Sequence, residues 1–133
     1  MARGGSSPAQ TERQVQRASL EMIRTCFPRI LYHHSAVTLL SGSAEARARQ
    51  MGAMKADGFK VGFPDILCLW PVRTGCLIEF KRPKGGVVSD KQDEMHTMLV
   101  EIGWPVRVCK SVDEAYDFLK ECGAPWNGVV WNG

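Results

Sequence analysis

Two apolar runs, Ile66 to Trp70 and Cys76 to Phe80, lie either side of Pro71-Val72-Arg73-Thr74-Gly75, a link of the length that joins antiparallel strands. A chain with such a hairpin must build a sheet, and the helical patterns around it decide what covers that sheet. Upstream, Thr11 with Gln14 makes a capping box, behind which Val15, Ala18, Met22 and Cys26 recur at helical spacing. Pro28 sets off Arg29 to His34 as a short strand, and Ser43 to Ala56 is rich in helix formers, with Asp57-Gly58 as its stop. Downstream, Ser89 with Gln92 caps a helix carrying Met95, Leu99 and Ile102, which Gly103 ends. Val106 to Cys109 is a strand, and Ser111 with Glu114 caps a last helix through Cys122 that Gly123 closes. The order is helix, strand, helix, two strands, helix, strand, helix, which is an α/β domain with a mixed sheet flanked by helices.

The 133 residues suit one domain, 11–123, preceded by a Gly, Ser and Pro-rich mobile leader (1–10) and followed by a tail (124–133) without a clear assignment. A domain of that size needs no disulfide staple. Five cysteines, odd in number and without a C-x-x-C pair, read as reduced core residues of an intracellular, cytoplasmic protein. Neither a signal peptide nor a membrane-spanning run is visible. A formal net charge of +3 permits a polyanionic partner without identifying one. Arg47, Arg49, Lys55 and Lys60 crowd the second helix and the turn after it, where they are expected to flank the site and meet phosphates.

Three charges interrupt the apolar strands. Asp65 follows Pro64 at the start of the first, Glu79 stands fourteen residues later in the second, and Lys81 two positions on shares the face of Glu79. If the hairpin pairs, Asp65 comes near both. Buried charges are costly unless paired or bound to metal. A structural ion pair would satisfy them. So would phosphodiester hydrolysis, which uses carboxylates to hold Mg²⁺, the ion to activate water, and a cation beside the nucleophile.

The run Gly62-Phe63-Pro64-Asp65, then Ile78-Glu79-Phe80-Lys81, Ser89-x-x-Gln92 and Gly103-x-x-Val106-x-Val108 resembles the VRR-NUC family of PD-(D/E)XK nucleases. The resemblance implies a restriction-endonuclease-like core, with Asp65 and Glu79 as ligands of Mg²⁺ or Mn²⁺ and the Phe80 carbonyl as another. It further implies a catalytic Lys81, a supporting Gln92, and Glu12 on the first helix completing the metal shell. Glu12 and Gln92 also have local explanations, the helix macrodipole and the capping box. His33, His34 and His96 are read as structural, as are Met51 and Met54, and Trp126 and Trp131 as packing of the tail. By the same resemblance the chain is similar to stand-alone phage and bacterial members, which act on four-way (Holliday) DNA junctions; a homodimer in a phage or bacterial host cell is expected. Two alternatives stay open: a flap, nick or duplex nuclease of this fold, and a non-catalytic nucleic-acid-binding protein.

Overall fold

The computed structural model describes residues 9–35 and 40–132. Most of the expected leader, residues 1–8, lies outside them. Among the described residues four helices and four strands follow in the order the sequence implies: α1 (Glu12–Cys26), β1 (Leu31–His34), α2 (Ala44–Ala56), β2 (Ile66–Trp70), β3 (Thr74–Phe80), α3 (Asp90–Glu101), β4 (Val106–Cys109) and α4 (Val112–Glu121). The strands lie in the order β1-β2-β3-β4, antiparallel except for the parallel pair β3 and β4, whose crossover is α3. This mixed sheet flanked by helices is the α/β fold expected.

Both capping boxes form: Thr11 accepts from the Gln14 amide while the Gln14 side chain accepts from the Thr11 amide, and Ser89 and Gln92 do the same. Ser43 and Ser111 cap α2 and α4 by accepting from Ala46 and Glu114. Helix α1 buries Val15, Ser19, Met22, Ile23 and Cys26, whereas Ala18 is half-buried. The inward stripe therefore runs through Ser19. Alternate side chains of β2 and β3, namely Ile66, Cys68, Trp70, Cys76, Ile78 and Phe80, meet that stripe and Ala115, Phe118 and Leu119 of α4 in one core.

Three details depart from the sequence pattern. Thr74 and Gly75 pair with Trp70 and Leu69, so the hairpin loop shrinks to Pro71, Val72 and Arg73. Strand β1 starts at Leu31 because the Ile30 amide is used by the Phe27 carbonyl in a turn. On α3 only Leu99 of the expected face is buried; Ile102, the C-cap, is exposed, and the inward face runs Gln92, His96, Leu99. Helix α2 buries nothing, its Met51 and Met54 being half-buried.

The cysteines are all free, and Cys26, Cys68, Cys76 and Cys109 are buried. The segment after α4 packs back on the domain. Asn127 donates from its backbone to the Cys26 carbonyl (3.0 Å) and from its side chain to that of Thr25 (2.8 Å). Lys120 lies 3.8 Å above the Trp126 ring, and Trp131 rests against the core. Among the described residues no helix is long and apolar enough to cross a membrane.

Candidate active site

The charges in the strands fall together because of register. Ile66 stands opposite Ile78, so one step further Asp65 faces Glu79 across the β2–β3 pair, on the sheet face away from the core. Pro64 is buried and Gly62 holds the turn before it against α3. Gly62 adopts φ +82°, and a Cβ there would stand 2.4 Å from the Lys91 carbonyl oxygen. That close approach brings the Asp65 turn to the first turn of α3, where Gln92 sits. Glu12 arrives from the start of α1. One carboxylate oxygen from each of Glu12, Asp65 and Glu79 lies within 4.8 Å of the others, the one such acidic group among the described residues.

Each member is held by the fold. The Phe80 amide donates to Asp65 Oδ2 at 2.7 Å. A strand residue sends its N–H and C=O to the same side, so the Phe80 carbonyl is directed toward β2 as well. Gln92 Nε2 donates to Glu79 Oε2 at 3.1 Å while its Oε1 keeps the capping contact with the Ser89 amide at 2.9 Å. Cap and site contact are therefore one side chain. Lys81 Nζ lies 3.9 Å from the same Glu79 oxygen, and both residues are buried, at 8% and 1% exposure.

Glu79 Oε1 is buried without a hydrogen-bond partner. Facing it at 3.7 Å is His96 Nε2, also buried and without one. Burial pushes the Glu79 carboxyl up to about 9, helped by the Asp65 charge and opposed by Lys81. Burial also raises Glu12, against the pull of Lys81. It lowers His96, leaving a neutral imidazole at neutral pH. Three carboxylates cannot share so small a space ionised without a cation, and a buried carboxylate oxygen lacking any donor is what a metal ligand looks like before its ion is counted. The all-oxygen donor set suits a hard divalent ion.

All five sequence-derived residues, Glu12, Asp65, Glu79, Lys81 and Gln92, thus converge, together with the Phe80 backbone. His96 escaped the sequence reading. Its signal was its place four residues after Gln92, on the same helix face. His33 and His34 are exposed on β1, His34 lining a cleft that also reaches Asp65. Arg47, Arg49 and Lys55 of α2 are exposed, and none of them lines either cleft that opens on the cluster.

Comparison with known proteins bears on the fold and the family. A solved structure described as a VRR_NUC domain protein superposes with a TM-score of 0.66 at 21% identity, over 87% of this chain and 90% of that one. At that identity the likeness speaks for the fold. No match is found among curated proteins. The sequence pattern of the VRR-NUC domain matches residues 7–113, well over half of the 133, and includes every member of the cluster. The chain therefore belongs to the VRR-NUC domain family, nucleases of the PD-(D/E)XK type.

Proposed function

We propose that the protein is a divalent-metal-dependent, structure-selective DNA endonuclease that resolves four-way junctions as a homodimer. The observation that carries the metal-dependent hydrolysis is the convergence of Glu12, Asp65 and Glu79 on one point beside a buried Lys81. The three carboxylates and the Phe80 carbonyl would hold Mg²⁺ or Mn²⁺. When bound, the ion activates water and offsets the charge that develops on the phosphate.

The chain's own groups supply the rest. The Phe80 amide fixes the orientation of Asp65, and Gln92 fixes Glu79 through Oε2, leaving Oε1 free of protein donors. The Lys81 amine stands beside the carboxylates, where it would orient the attacking water and stabilise the extra negative charge of the five-coordinate phosphorus. A protein that only bound nucleic acid would gain nothing by placing three carboxylates against a polyanion, so the arrangement favours catalysis over passive binding.

Selection of a junction is supported by symmetry. A four-way junction has a two-fold axis and needs two opposed cuts; a small domain with one site meets both by forming a C2 dimer. Sedimentation equilibrium together with cleavage of matched junction, flap and linear duplex tests this. A dimer that cuts the junction fastest is expected. A monomer at micromolar concentration, or a flap cut faster than the junction, would overturn the resolvase reading and leave a nuclease of another preference.

A further inference from the structure

Two clefts meet at the acidic cluster. One, about 630 Å³, is walled by Glu12 and Lys81 and by the loop that carries Arg82, Lys84 and Gly86. The other, about 670 Å³, is walled by Glu12 and Asp65 and by Arg13, Arg17 and His34. Glu12 is common to both, so the carboxylates stand on the saddle between them. Each cleft is lined by two exposed cations, Arg82 and Lys84 in the first and Arg13 and Arg17 in the second. We propose that the two clefts form one track for a single phosphodiester strand, with Arg13 and Arg17 taking phosphates on one side of the scissile bond and Arg82 and Lys84 on the other.

The first cleft is built rather than incidental. Its loop folds back on itself, Arg82 donating to the Gly85 carbonyl at 3.3 Å. A Cβ on Gly86 would stand 2.5 Å from the Arg82 carbonyl oxygen and 2.9 Å from the Cβ of Lys81. The loop backbone is thereby seated directly on the base of the Lys81 side chain, which fixes where its cations leave the chain. The charge arithmetic points the same way. A bound divalent ion and the Lys81 amine would at most balance the three carboxylates, so net attraction for a polyanion falls to the four cations in the clefts, which act from both sides without entering the cluster. Both clefts are open and each carries charged side chains on its walls, which suits a strand passing through rather than a small molecule enclosed. The ligand class is a polynucleotide backbone, met through its phosphates and not its bases.

The track rests on the nuclease reading, and its test separates the two. Binding of a fluorescent single-stranded oligonucleotide in Ca²⁺ is measured against salt for the parent, Arg82→Ala/Lys84→Ala, Arg13→Ala/Arg17→Ala and the quadruple variant, with Mn²⁺ binding by calorimetry alongside. Each pair should lower the salt slope by about 1.4 and weaken binding about 25-fold at 0.1 M salt, at ~0.7 per single-strand phosphate contact. The quadruple variant should show both losses, with Mn²⁺ affinity within about twofold of the parent. A parental slope in either pair variant, in a protein whose parent binds, would overturn the track alone. A parent that does not bind the oligonucleotide at low salt would overturn the track, while the nuclease reading stands or falls separately on cleavage of the four-way junction.

Discussion

Burying Glu79 beside Asp65 and Glu12 makes its negative charge costly. Its folded carboxyl titrates at about 9, against 4.5 when unperturbed. Below about 4.5 both folded and unfolded chains hold the proton, and the contribution to stability is full; as pH rises toward 9 the unfolded chain has lost it and the folded chain must give it up, so stability falls. Melting of chelator-treated protein should therefore shift to lower temperature across that window, and Mn²⁺ should reverse the shift at its alkaline end. Glu79→Gln should flatten the dependence, raise stability at alkaline pH by about 1–3 kcal/mol, and abolish cleavage. An unchanged melting profile in that variant would place the penalty elsewhere. Asp65, Glu79 and Lys81 were legible in the sequence because charge inside an apolar strand demands an explanation wherever it occurs. His96 was not, since a histidine in mid-helix is ordinary until the partner across the helix–sheet interface is known.

Helices α2 and α3 show how far local pattern reaches. Caps and stop signals placed both within a residue, because they depend on neighbours in the chain. Which face turns inward depends on the sheet: of Met95, Leu99 and Ile102 only Leu99 is fully buried, while the polar Gln92 and half-buried His96 face Glu79. Leu99, the buried apolar residue of that face, should cost about 2–5 kcal/mol when replaced by Ala, with the melting curve as the check. Helix α2 buries no side chain, so its amides should exchange with deuterium before those of α1 or α4. If its arginines and lysines also meet phosphates, adding DNA in Ca²⁺ should slow that exchange. Equal rates with and without DNA would make them an ordinary solvated face.

At the scale of the whole molecule, four strands and three of the helices are spent on a core that lies on one face of the sheet and a site that lies on the other. The parallel β3–β4 pair sets the end of β3 in place, since the Lys81 amide donates to the Cys109 carbonyl at 3.1 Å immediately after the strand. Helix α1 then serves both faces, filling the core with Val15 and Met22 while its first turn delivers Glu12 to the cluster. The topology was readable from the order of elements, whereas the meeting of Glu12 with Asp65, fifty-three residues apart, came only through resemblance to a family. The central claim is that this convergence is a metal-dependent nuclease centre. Cleavage of an end-labelled four-way DNA junction by the parent and by Asp65→Asn, in Mg²⁺, in Mn²⁺ and in excess EDTA, tests it most directly. Products from the parent with either ion, and none from the parent in EDTA or from a normally folded Asp65→Asn, are expected; undiminished cleavage in EDTA, or by Asp65→Asn, would contradict it.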